Sequence, residues 1–223
     1  MSALLQNAID SAFESLDRVR ADLRLADVHA VSSARSDLVE KSAIVKAWSY
    51  VWMAAVLEQY VKEVLNAVLS EINARGVSQA NLRRSLFSLV FYSDFDALKS
   101  ASKIKAWNKR STIFRSIDLA QTVEFSLNVH PLDGRTIKAD HFECIWNVFG
   151  FVPPHLPHPK HGFALNDLAD GRNRVAHGEI DPVRFGRSKT CGDVVRILDL
   201  TEEAMLHLWE TANGYLKNNG YLA

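Results

Sequence analysis

Apolar residues recur at intervals of three and four along the first part of the chain. This spacing places them on one face of a helix over about residues 3–27. The residues on that face are Leu5, Ile9, Ala12, Phe13, Leu16, Val19 and Leu23. A longer pattern over 37–74 predicts the longest helix, which Gly76 would end. Because Trp48 and Trp52 are four residues apart in that pattern, we expect both to pack in the core.

The rest of the chain also shows mainly helical spacing. Two or three short helices are predicted over 78–117, with breaks near Ser93–Asp94 and Asn108, and a turn follows over 126–135. The next predicted elements are a helix over 136–149, an irregular Pro-rich loop over 152–162 and a helix over 166–177 that ends at Gly178. After a loop over 181–192 come a strand-like run over 194–198 and a last helix over 201–216, with Asp199 and Glu202 as its capping box. Strand patterns are too few for a sheet. The fold predicted is an all-α bundle with at most one short hairpin near 184–198.

Composition and charge exclude several classes of protein. The 223 residues contain 26 Lys and Arg and 26 Asp and Glu, so the formal net charge is zero. The neutral charge argues against a protein that binds polyanions over its whole surface, and a nucleic-acid surface would need local segregation of charge. Two cysteines cannot form a disulfide framework, and the sequence shows neither a membrane-spanning run nor an export signal. We expect a cytoplasmic protein with no membrane partner.

One segment, LADGRNRVAHGEIDP over 168–182, combines groups that suit phosphodiester chemistry. At 100° per residue, Arg172 falls in the middle of the apolar stripe of its helix, where a guanidinium is costly unless it meets an anion or a wet interface. Asn173 and His177 flank it. Together they offer a permanent cation, an amide and a titratable imidazole. The alternative is a salt-bridged arginine beside a histidine at a helix end.

The residues Arg172-Asn173-Arg174-Val175-Ala176-His177-Gly178 resemble the signature of the HEPN superfamily. In that signature an arginine, commonly followed by asparagine, precedes a histidine by five positions. The resemblance covers about 41–71 and 163–216. It implies one HEPN-like helical domain over 1–223, in which 78–160 is an elaboration particular to a subfamily.

The resemblance also implies a function. Many members of this superfamily are metal-independent endoribonucleases of toxin–antitoxin or phage-defence systems, and they act as homodimers with the site at the dimer interface. By position, Arg172 and His177 would be the catalytic pair and Asn173 the polar residue beside them, with Glu58 as a supporting acid on the long helix. The product would be a 2′,3′-cyclic phosphate. No cofactor is implied, and a cognate antitoxin is a possible partner. For Glu58, a surface pair with Lys62 is the alternative.

Two clusters of basic residues are candidate RNA contacts. The run over 99–116 has six basic residues, no acid and a central Trp107, a pattern typical of a track for single-stranded RNA. Its candidate contacts are Lys105, Lys109 and Arg110, and the alternative is a solvated helix face with Trp107 turned into the core. The second cluster lies just after the signature and comprises Arg184, Arg187, Lys189 and Arg196. Its alternative is an ordinary flexible loop. Arg174, within the signature, is a further candidate contact.

Other chemistries find little support in the sequence. His155, His158 and His161 lie in the Pro-rich loop without the paired thiolates of a structural zinc site, so we expect no metal. There is no Gly-rich phosphate loop and no G-x-S-x-G. Beside the ribonuclease hypothesis stand a non-catalytic HEPN module that binds RNA or protein, and a structural helical adaptor in which Arg172 forms only an interface ion pair.

Overall fold

The computed structural model describes residues 2–32 and 36–223. Besides two short 3-10 turns and two isolated β-bridges, every regular element in these ranges is an α-helix, which confirms the all-α class. The helices are α1 (Ala3–Ser32), α2 (Ser36–Ala74), α3 (Phe87–Val90), α4 (Tyr92–Lys99), α5 (Lys103–Arg115), α6 (Ala139–Phe149), α7 (Pro159–Ala176), α8 (Pro182–Arg187) and α9 (Cys191–Lys217).

The long helix α2 is the centre of the bundle and packs against α1, α7, α8 and α9. Its buried face contains Tyr50, Met53, Leu57, Tyr60 and Val61, all at most 1% exposed. Tyr50, Met53, Leu57 and Val61 follow each other at intervals of three and four, and Tyr60 lies three residues after Leu57, so these side chains share one face of the helix.

The expectation that Trp48 and Trp52 pack in the core is wrong, since both are exposed. They lie about 160° and 200° around α2 from Tyr50, at 100° per residue, and therefore on the side opposite the core. Because α2 has apolar residues on nearly all sides here, its sequence does not indicate which side faces the core. The positions of the neighbouring helices determine that side.

The predicted apolar face of α1 is confirmed, because Leu5, Leu16 and Leu23 are fully buried. Polar contacts then join α1 to α9: the Arg20 guanidinium donates to the carboxylates of Asp199 and Glu202. This finding corrects the role predicted for the two acids, which do not begin the last helix.

The hairpin predicted near 184–198 is also wrong, because this stretch forms α8 and the first turns of α9. The strand-like run lies on α9, where Val194, Ile197 and Leu198 are buried. Their i, i+3, i+4 spacing is that of a helix face. The prediction failed because a short run with β-branched residues is also typical of a strand. The true N-cap of α9 is Thr190, whose hydroxyl accepts from the Asp193 N–H at 3.0 Å.

Several predicted boundaries need correction as well. Helix α7 begins at Pro159, seven residues before the predicted start, because proline is well suited to the first turn of a helix. The breaks expected near Ser93–Asp94 and Asn108 are absent, since those residues lie within α4 and α5. No helix in the described part of the chain is long and apolar enough to cross a membrane.

Candidate functional site

The signature residues occupy the last turns of α7 and its C-terminal cap. At the start of this helix, the His158 ring accepts a hydrogen bond from the Lys160 N–H at 3.1 Å. At its end, His177 is the C-cap, and Gly178 follows with a φ of +71°, a left-handed conformation that glycine adopts without strain. The predicted stop at Gly178 is confirmed.

Gly171, the residue before the signature arginine, allows α7 to lie directly against α2. A Cβ at this position would come within 2.6 Å of two ring carbons of Tyr50 and 3.0 Å of Phe185. The Tyr50 hydroxyl also donates to Asp167 Oδ2 at 3.1 Å, one turn earlier on α7. Burial and the Asp167 carboxylate together raise the pKa of Tyr50, so its hydroxyl remains a donor.

Arg172 is half-buried on α7. Leu165 and Leu168, before it, are fully buried, and in the turn beyond it Val175 is buried while Ala176 is exposed, so Arg172 lies at the boundary between the buried and the exposed side of the helix. The guanidinium donates from Nη1 to Asn173 Oδ1 at 3.1 Å. In the ranges the structure describes, no carboxylate pairs with Arg172, which removes the salt-bridge alternative within one chain.

Asn173 is held from a second side by Thr136. The Thr136 hydroxyl donates to the same Asn173 Oδ1 at 2.9 Å. Sequence reasoning missed Thr136, which lies 37 residues away from Asn173 in a segment without regular structure. No local pattern signals such a contact.

His177 is exposed on the same side of α7 as Asn173, because the two residues are four positions apart. Its backbone N–H donates to the Asn173 carbonyl at 3.0 Å, so the helical hydrogen-bond pattern extends to this C-cap residue. No described residue forms a hydrogen bond with the imidazole, so both ring nitrogens are available to hydrogen-bond a ligand.

The basic residues beside the signature divide into two groups. Arg174, Arg184 and Arg187 are exposed. Lys189 is half-buried: its Nζ lies 3.2 Å from Asp167 Oδ2 and 5.7 Å from the centre of the Tyr50 ring. The predicted loop over 181–192 instead contains α8, so Arg184 and Arg187 are presented by a short helix.

Glu58 is not joined to the signature. Its Oε1 accepts from Lys62 Nζ at 2.7 Å, which is the surface pair expected as the alternative. Tyr50, which contacts Gly171, precedes Glu58 by eight residues, a distance of about 12 Å along α2. The supporting role of Glu58 stays a prediction without a contact to carry it.

The other candidate RNA contacts, Lys105, Lys109 and Arg110, are exposed on α5. This helix packs against α4, and only Ala106 and Ile113 of its residues are buried. Trp107 is 63% exposed, so the alternative in which it turns into the core is wrong. The Arg110 guanidinium lies 4.9 Å from the centre of the Trp107 ring.

Two of the three histidines of the Pro-rich segment, His158 and His161, have structural contacts. The buried His161 ring bonds to Glu203 Oε2 at 2.8 Å and joins α7 to α9, while His158 caps α7. Among the described residues, no three His, Cys, Asp or Glu side chains are grouped so that they could hold a metal ion.

A cleft of about 480 Å³ opens on another part of α7. Its lining includes Lys160, Phe163, Asp167, Lys189 and Arg196. Neither Arg172 nor His177 lines it, so cleft and signature are distinct features of the surface.

Comparison with known families gives a match over nearly the whole chain. The model of the family described as HEPN_MAE_28990-like HEPN matches residues 1–221. No curated protein and no solved structure matches the sequence.

Proposed function

The chain belongs to the HEPN_MAE_28990-like HEPN family, and from this premise we propose that it is a metal-independent endoribonuclease that uses Arg172 and His177. One observation carries the proposal: Arg172 is half-buried and His177 is exposed at the same end of α7, and among the described residues no carboxylate pairs with the guanidinium and no group bonds to the imidazole. An anion is the partner that the arginine lacks, and the imidazole is suited to move a proton beside it.

The reaction is an attack of the ribose 2′-oxygen on the adjacent phosphorus. The new O2′–P bond forms as the P–O5′ bond breaks, so the products are a 2′,3′-cyclic phosphate and a 5′-hydroxyl end. His177 accepts the proton of the 2′-hydroxyl or donates one to the leaving 5′-oxygen. Arg172 binds the phosphate oxygens and stabilises the charge that builds up in the transition state.

A homodimer would bring two signatures together, so that one imidazole acts as base and the other as acid. The half-buried position of Arg172 supports this arrangement, because a second copy would complete the enclosure of the phosphate. Sedimentation velocity at micromolar concentration tests it: we expect a dimer, and a strict monomer would contradict this part of the proposal.

The cleavage test uses a labelled single-stranded RNA with EDTA present throughout. We expect wild-type protein to cut, and His177→Ala and Arg172→Ala to lose at least about a hundredfold in rate. Glu179→Gln is the matched control, because Glu179 is exposed and only two residues from His177. Cutting that needs a metal ion, or that both variants retain, would overturn the mechanism.

RNA binding without cleavage is the second candidate function. It is favoured by α5, where exposed basic residues lie beside the exposed Trp107. In the described part of the chain these residues form no hydrogen bond or ion pair with the signature residues, so α5 could bind RNA independently of cleavage. RNA that binds tightly and stays intact would support it.

In either case we propose a role in a prokaryotic toxin–antitoxin or phage-defence system, with a cognate antitoxin as partner.

A further inference from the structure

A short segment of the chain middle lies along the polar side of α7. Thr136 donates to Asn173, Lys138 Nζ lies 2.6 Å from Asp170 Oδ1, and the Ala139 N–H donates to Asn166 Oδ1 at 3.2 Å. Positions 166, 170 and 173 are successive turns on one side of α7, and His177 continues that line. The segment 136–139 is therefore aligned with the signature.

Thr136 is the member of this segment that touches the signature itself. It is 7% exposed, and the neighbouring Ile137 is 1% exposed, so the hydrophobic core fixes the position of the hydroxyl. Asn173 Oδ1 has two lone pairs, and it accepts one hydrogen bond from Thr136 and one from Arg172.

Resting on the proposed function, we propose that Thr136 is a positioning residue for the Arg172 guanidinium. Its hydroxyl keeps the Asn173 amide oriented with the oxygen toward Arg172. Without that hydrogen bond, rotation of the amide by half a turn would present its NH₂ group to the guanidinium, donor against donor. A guanidinium has five N–H donors, so the single bond to Asn173 aims it and leaves four for a phosphate.

The first test compares Thr136→Val, which keeps the shape and removes the hydroxyl, with Thr136→Ser, which keeps the hydroxyl. For RNA cleavage we expect kcat to fall about tenfold in Thr136→Val with KM changed less than about twofold, and Thr136→Ser to keep kcat within about twofold of wild type. A Thr136→Val protein with wild-type kcat would overturn the proposal, and so would a Ser variant as impaired as the Val variant.

Lys138→Met is the control for the segment as a whole. It removes the ion pair with Asp170 and leaves Thr136 and Asn173 in place. We expect wild-type cleavage from it. A drop equal to that of Thr136→Val would mean that the segment acts only by packing on α7, against a specific role for Thr136.

A double-mutant cycle isolates the orientation of the amide. In Asn173→Asp, both side-chain oxygens are acceptors, so Arg172 keeps a partner whichever way the group rotates. Adding Thr136→Val to this variant should therefore lower kcat less than about twofold. A full tenfold drop in the Asp background would overturn the proposal. Circular dichroism establishes that each variant is folded.

An NMR measurement separates this proposal from the ribonuclease proposal. The Nε–Hε resonance of Arg172, assigned with Arg172→Lys, should shift in Thr136→Val and return toward wild type in Thr136→Ser. If the wild-type protein cuts no RNA, the ribonuclease proposal fails, yet this shift still supports Thr136 as a positioning residue. An unmoved resonance in Thr136→Val would overturn the positioning role whether or not RNA is cut.

Discussion

Gly171 and the Tyr50 ring are so close that no side chain fits between them. A Cβ on residue 171 would lie 2.3 Å from Tyr50 Cδ1. Since Arg172 is the next residue, this contact sets the distance between the signature residues and α2. A glycine inside a predicted helix is the sequence signal that could have indicated the close approach.

Gly171→Ala should therefore destabilise the fold. We expect the free energy of unfolding in urea to fall by about 1–3 kcal/mol, because α7 or the Tyr50 ring must move. The control is Gly214→Ala on α9, where a Cβ would meet no atom within 4 Å. There the change should stabilise by about 0.5–1 kcal/mol, since alanine is the better helix former. Equal stability of the two variants would show that the Tyr50 contact is readily relaxed.

Arg20→Met should weaken the attachment of α1 to α9. The Arg20 side chain is 19% exposed and bonds to both Asp199 and Glu202. Removing it leaves two neighbouring carboxylates unpaired, so we expect the free energy of unfolding in urea to fall by about 1–3 kcal/mol.

Arg18→Met is the matched control for that experiment, because the pair of Arg18 with Glu14 is exposed on both sides. Its effect on the free energy of unfolding should be below about 0.5 kcal/mol. If the two arginine variants are equally destabilised, the ion pairs of Arg20 do not hold the helices together.

Stability should fall in acid partly through Glu203. The hydrogen bond from His161, and then that from Lys160, lowers the pKa of Glu203 below its ordinary value of 4.5. Between the folded-state pKa and 4.5, the unfolded chain binds more protons at this carboxyl than the folded chain does. The contribution of Glu203 to stability is therefore fully present above pH 4.5 and is lost as the pH falls through the folded-state pKa.

Glu203→Gln measures this contribution by urea unfolding at several pH values. The variant should be less stable than wild type at neutral pH, and the difference should shrink as the pH falls below 4.5. A difference that stays constant over the whole pH range would show that the carboxylate charge has no part in it.

If α5 binds RNA, its lysines should determine part of the salt dependence of the RNA-binding constant. Removing one lysine that neutralises a phosphate of a single strand reduces the slope of log K against log salt by about 0.7. We expect such a reduction for Lys105→Ala and for Lys109→Ala, measured by fluorescence anisotropy with labelled oligouridine and the non-cleaving His177→Ala background.

Trp107→Ala should weaken binding at all salt concentrations, by about 1–3 kcal/mol for the base stack that it removes. Lys217→Ala, an exposed lysine at the end of α9, is the control and should leave the slope unchanged. If the α5 variants change neither the slope of log K against log salt nor the RNA affinity, any RNA-binding surface lies near the signature and not on α5.

What the sequence determined by itself is local. Periodicity predicted α1 with its buried face, and the order of residues within one helix placed Asn173 and His177 on one side of α7. Gly76 and Gly178 indicated where helices end. Each of these properties depends on neighbours within about one turn, and the geometry of the turn is the same in every protein.

Only the tertiary structure decided which faces meet. It turned Trp48 and Trp52 outward, brought Asp199 and Glu202 to Arg20, and placed Thr136 against Asn173 across 37 residues. Such contacts depend on how whole helices pack, and a run of apolar residues fits several packings equally well. The charge and hydrogen-bonding needs of single side chains then select partners that no local pattern can indicate.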